Sequence, residues 1–293
     1  MSTPARILTG HQKDLGGGFQ VRRLLPAAAQ RAVGPFIFFD HFGPALETPQ
    51  REPDVRPHPP IGLAPVTSLF EGAMMHRDSI GSAQLIEPGA INWMTAGRGI
   101  VHSERRPESL RGRSYVNHGL QLWVALPREH EETEPAFEHT PASAIPEGRA
   151  GDATVRVLVG EAFGLRSPVR TLSPTLYLDV QLPAGGRLVL PPLAAEQAVY
   201  LVQGALTLDG QPLAAQQMAV PGQDTVTLSA AEPARLVVVG GAALDAPRHM
   251  WWNFVSSRKE RIVEAAETWE AQRLGQVPGE TEFIPLPERR FLP

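Results

Sequence analysis

The chain has 293 residues, 42% hydrophobic and 20% charged, with a formal net charge of −4 and no cysteine. That length favours two domains. The missing cysteines exclude disulfides, thiolate nucleophiles, iron–sulfur clusters and cysteine-type zinc sites, and a mildly acidic chain offers no footing for direct nucleic-acid binding. Residues 1–6 lead into no apolar signal core, and no run reaches the length of a membrane-spanning helix. A soluble, cytoplasmic protein without a membrane partner is therefore expected.

Glycine (27) and proline (29) are spread along the whole chain, as suits a turn-rich β protein. Residues 36–39 (FIFF) open a series of short apolar segments. Residues 65–72 read as a strand ending in a glycine turn, and 86–89 as a further turn. Residues 119–126 (GLQLWVAL) and 155–159 (VRVLV) continue the pattern. Residues 127–153 are first charged and then rich in Pro, Ala and Gly, which marks a crossover between domains. In 175–182 (TLYLDVQL) the even positions are apolar, the period-two signature of a half-buried strand. Residues 198–204 mirror 65–72, and 218–222 resemble 86–89, which suggests a duplicated barrel. The spacing of Ile262, Val263, Ala266 and Trp269 predicts one amphipathic helix over 256–274, its start capped by a serine of the Ser256-Ser257 pair.

The candidate chemistry lies between residues 56 and 104. His102 and Glu104 are two apart, so in an extended segment they share a face. His58, just ahead of a neighbouring strand, would complete a set of two histidines and one carboxylate. Such a set suits Fe(II), Mn(II), Ni(II) or Zn(II) and leaves positions open for substrate. The remaining candidates read more simply. His41 is expected to bond Asp40 in a loop. His118 is either a core histidine or a partner of a metal ligand. Gln121 and Trp123 share one strand face. Arg98 either reaches Glu104 or decorates a turn. His76 is open to a role as replacement ligand, but beside Arg77 and Asp78 just after a turn it is expected to be a surface or turn histidine. No phosphate-binding loop, dinucleotide fingerprint or nucleophile elbow is present. No histidine lies between His139 and His249. The second half therefore cannot repeat a histidine metal site, and a structural role is expected for it.

Residues 94–104 (MTAGRGIVHSE) and 119–124 (GLQLWV) resemble the signature of the pirin family, a bicupin group. Residues 39–44 (FDHFGP), 75–79 (MHRDS) and 248–257 (RHMWWNFVSS) extend the resemblance over essentially the full chain. It implies an all-β fold of two cupin-type β-barrels with a C-terminal α-helix. The N-terminal cupin would occupy residues 1–135 and carry the metal site; the C-terminal cupin and helix would occupy 136–293. Three of the family's metal ligands carry over, as His58, His102 and Glu104. The fourth, a histidine, falls on Pro60, and the usual cupin glutamate falls on Ala64. The implied cofactor is a divalent metal, Fe(II) first, with Mn, Ni, Zn or Cu also compatible; an empty, decayed site is the other outcome. The implied activity is quercetin 2,3-dioxygenase, acting on a flavonol-like small molecule with Glu104 as the catalytic base. The alternative is a non-catalytic regulator that works through a protein partner.

Overall fold

A computed structural model describes residues 4–15, 19–50 and 54–291. The chain divides into two compact units. One comprises Met1–Lys13, Val21–His41 and Ser143–Ala243; the other comprises Asp14–Gln20, Phe42–Ala142 and Leu244–Pro293. The passage at residues 142–143 falls inside the charged, proline-rich stretch. The last segment of the chain, helix included, clusters with residues 42–142.

The unit built on 143–243 has a large sheet in the order Arg6–Leu8, Met218–Val220, Glu196–Gln203, Ala234–Gly241, Thr175–Leu182, Ala153–Val159, Glu147–Ala150. A smaller sheet runs Arg187–Leu190, Val226–Ala230, Ala205–Leu208, Gln211–Ala214. Both sheets send side chains into one core, including Val157, Leu178, Val199, Leu236 and Val238 from the first and Leu188, Leu206 and Leu228 from the second. Thr175–Leu182 is not half-buried as expected. Tyr177 and Asp179 on its other face are buried too, and Asp179 is held by Arg235 at 2.7 Å. A central strand covered on both faces tolerates such a carboxylate only when it is paired.

The unit built on 42–142 pairs, in one sheet, Ala136–Thr140 with Ile91–Thr95, then Leu63–Glu71, then Tyr115–Ala125. Its second sheet runs Val55–His58, His102–Arg105, Met74–Asp78, Ala83–Ile86. These are the two cupin-type barrels that the sequence led us to expect, with one α-helix near the C-terminus.

The helix spans Lys259–Glu270, shorter than predicted. It buries Ile262, Ala265 and Trp269 against Ile61, Val101, Phe254 and Val277. Serine does not cap it: Arg258 occupies the N-cap and makes no side-chain capping bond. The serines turn instead to Glu131, whose carboxylate accepts from the Ser256 hydroxyl (3.0 Å) and from the Ser257 amide (2.8 Å) and hydroxyl (3.0 Å). A buried carboxylate draws hydroxyl donors more strongly than a solvated helix end does.

Candidate metal centre

Strand register assembles the site. His102 stands directly opposite His58 on one side and Asp78 on the other, and Glu104 stands opposite His76. Residues opposite one another across a ladder point to the same face. One face of the small sheet therefore presents His58, His76, Asp78, His102 and Glu104. The ladder slips between His102 and Glu104 on the side of Val55–His58, a bulge of the kind that re-aims side chains beside functional sites.

The His58 and His102 rings are 4.3 Å apart, and those of His76 and His102 are 5.5 Å apart. His102 is 3% exposed, and its Nδ1 is buried without a hydrogen-bond partner. His58 is half-buried, and its Nδ1 lies 2.9 Å from the Arg56 carbonyl oxygen. Donation of Nδ1–H there leaves the Nε2 lone pair free, the tautomer a metal needs. Desolvation lowers the His58 imidazole to about 4, the Arg56 carbonyl opposing and His76 adding to the fall. Burial, with His58 and His76 nearby, holds His102 well below the ordinary histidine value. Both rings are neutral at physiological pH, as ligands must be. Burial raises the Glu104 carboxyl, against the opposing influence of His76 and a contact with Thr67.

Opposite this face, Gln121, Thr67 and Asn92 form one cross-strand row that ends at His139. Thr67 Oγ1 lies 3.3 Å from Glu104 Oε1 and 2.8 Å from Gln121 Oε1. His139 Nδ1 lies 2.7 Å from Asn92 Oδ1. The barrel interior thus has a histidine–carboxylate wall and a facing wall of neutral polar groups.

The structure brings together all three expected ligands, His58, His102 and Glu104, on one face. Among the described residues, no three His, Asp or Glu side chains as they stand converge on a single metal position. The donor chemistry fits a divalent metal all the same: one buried imidazole nitrogen is orphaned, a second ring has its tautomer set, and a carboxylate shares the face. Pro60 lies beyond the end of Val55–His58, buried, and its carbonyl accepts from the Ile100 amide at 3.3 Å.

Several single-residue expectations change. His76 is no surface turn residue. It lies within Met74–Asp78, 4% exposed, with Nε2 2.9 Å from Asp78 Oδ2 and its ring stacked on Phe137 at 4.2 Å. Asp78 in turn accepts from the Ile80 and Ser82 amides. Burial alone would raise its carboxyl, but the bonds from His76 and Ser82 prevail and hold it below the usual range. Asp40 pairs with Arg23 at 2.7 Å, while His41 Nδ1 meets the Tyr200 hydroxyl at 2.6 Å. Neighbours in a strand point to opposite faces, so a loop-type bond between those two gives way. His118 lies inside Tyr115–Ala125, its ring edge-on to Phe70. Arg98 reaches Glu134 at 2.7 Å, both exposed, and so decorates a turn. Sequence reasoning passed over Asp78, Thr67 and Asn92 as site residues. The period-two spacing of His76 and Asp78 was the available signal, once 74–78 is read as a strand.

The two barrels and the histidine–glutamate face of one of them define a bicupin with a candidate metal centre. A family model described as Pirin matches residues 18–124, and one described as Pirin C-terminal cupin domain matches 177–275. A pirin-like protein of Caulobacter vibrioides is 46% identical over 96% of this chain and 99% of its own. The chain belongs to the pirin family. A Pseudomonas aeruginosa protein provisionally named quercetin 2,3-dioxygenase is 38% identical over 90% of this chain and 82% of its own. The crystal structure of a quercetin 2,3-dioxygenase from Acinetobacter baumannii superposes with a TM-score of 0.90 at 32% identity, covering 99% of this chain and 96% of that one.

Proposed function

We propose that the barrel of residues 42–142 holds a divalent metal, Fe(II) first, through His58, His102 and Glu104, and that the protein oxidises a flavonol-like molecule with dioxygen. The observation that carries this reading is the buried, partnerless Nδ1 of His102 beside the His58 ring. Elsewhere such a nitrogen would be satisfied or turned to water, since an unmet buried polar atom costs roughly 1–3 kcal/mol. A bound metal would lower the pKa of a coordinated hydroxyl and activate the ring for oxygen. The chain supplies the rest. Glu104 takes the hydroxyl proton, and Thr67 Oγ1, 3.3 Å from its Oε1, steadies the carboxyl that results. Gln121 and Asn92 offer neutral donors and acceptors to the phenolic groups of a planar substrate. Resemblance to the two proteins named for quercetin dioxygenation supports the substrate class.

The test is metal content after anaerobic Fe(II) loading, in the wild type and in His102→Ala. Near-stoichiometric iron that disappears in the variant, with oxygen-dependent loss of quercetin absorbance, is the expected result. Equal iron in both proteins would overturn the site. Full iron without turnover would remove the reaction and leave the second reading, a non-catalytic regulator. The donors' lack of convergence as they stand is the observation that favours that alternative.

A further inference from the structure

We infer that His76 supplies the metal-binding imidazole that Pro60 has removed, completing a set of three histidines and Glu104, with Asp78 as its positioning residue. The inference rests on the metal reading above and adds a ligand to it. Proline has no donor atom, so the position two residues after His58 contributes nothing. His76 stands opposite Glu104 in the ladder, and its ring is 5.5 Å from that of His102. It is therefore on the same face as the other three donors.

Its surroundings are those of a prepared ligand. Asp78 accepts from Nε2 at 2.9 Å while being pinned by the Ile80 and Ser82 amides. That bond assigns the proton to Nε2 and leaves the Nδ1 lone pair for a metal, the carboxylate–histidine–metal arrangement that orients a ring and raises its basicity. Phe137, stacked at 4.2 Å with 10° between planes, holds the ring plane. A histidine that served packing alone would not need both a buried carboxylate and an aromatic clamp beside two further imidazoles. Convergence then requires side-chain adjustment on a face that the backbone register already shares.

The experiment is metal affinity by competition with a chromophoric chelator, using Fe(II) anaerobically and Zn(II) in air. The proteins are full-length wild type, His76→Gln, Asp78→Asn, His102→Ala and the double variant Pro60→His/His76→Gln. We expect His76→Gln to weaken binding by about 100-fold or more and Asp78→Asn by roughly 10–100-fold. Restoring the imidazole at position 60 should bring the double variant back to within about tenfold of wild type, a rescue that a purely structural role for His76 would not produce. X-ray absorption on the Zn(II)-loaded wild type should count three imidazoles, which keeps the question open to refutation if His76→Gln fails to fold. Wild-type affinity in His76→Gln alongside loss in His102→Ala would overturn the role of His76 and leave the metal site standing. Two imidazoles in the absorption spectrum would do the same. No binding by the wild type would overturn both readings.

Discussion

Replacing Glu131 with alanine tests how the C-terminal segment is held in its unit. Glu131 is 3% exposed. Its Oε1 lies 2.9 Å from Arg248 Nε, and it accepts from the amide and hydroxyl of Ser257 and the hydroxyl of Ser256. The Arg248 side chain is only 2% exposed. Removing one partner of a buried pair leaves the other charge uncompensated, at a cost of about 3–5 kcal/mol. Arg248 keeps Asp245 at 2.6 Å and the carbonyls of Leu126 and Ala246 at 2.7 Å, which places the expected loss near the lower end, ~3 kcal/mol. Burial alone would raise the Asp245 carboxyl, but the bonds from Arg248 and the Arg128 amide together prevail and hold it below its ordinary value. It therefore remains charged to compensate. All five tryptophans, at 93, 123, 251, 252 and 269, lie in this unit, so their fluorescence during urea unfolding reports on it selectively. A midpoint shift equivalent to less than ~1 kcal/mol would refute the account, because a surface ion pair loses no more than that.

Two other outcomes follow from the same geometry. In chelator, the His58 imidazole sits at about 4 in the folded protein against 6.5 for an ordinary histidine. The unfolded chain therefore takes up a proton in that window while the folded one does not. Stability should be complete above pH 6.5 and decline toward pH 4, His58 contributing up to ~3 kcal/mol of the loss beside that of His102, and His58→Gln should make the decline shallower; parallel pH profiles for the two proteins would count against it. Gly62 has φ +70°, and a Cβ there would overlap the Val255 carbonyl oxygen. Gly62→Ala should therefore cost about 2 kcal/mol or more, visible as a lower urea midpoint by tryptophan fluorescence, and an unchanged midpoint would show that the loop absorbs the methyl.

Much of the fold was legible because it is written locally. Gly72 and Gly204 end the mirrored strands with φ of +89° and +93°, so the glycine turns were sound markers of the repeat. The His102–Glu104 face followed from period two alone. What stayed hidden depended on register and on burial from afar. Nothing within residues 74–78 says that His76 pairs with Glu104, since that is decided by which strand lies beside His102–Arg105. Alternation in Thr175–Leu182 could not reveal that its polar face is also covered. The serines before the helix looked like caps because their competitor, Glu131, is 125 residues away from Ser256.

On the proposed metal reading, losing a ligand letter at Pro60 and losing the site are different events. The residue lies past the last hydrogen-bonded position of Val55–His58, where a missing amide donor breaks no ladder. His58 stands directly opposite His102, although the ladder slips toward Glu104, and the three donors share one face of the sheet. Pro57, inside that strand, is tolerated because Val55–His58 is the edge strand of its sheet and the ladder slips beside it. Pro60, two residues beyond the end of that strand, offers no imidazole and leaves the scaffold for the other donors. The sheet also presents His76 from the opposite neighbour of His102–Arg105. On that metal reading, coordination would be set by the ladder as a whole, with a donor drawn from whichever strand the register brings alongside.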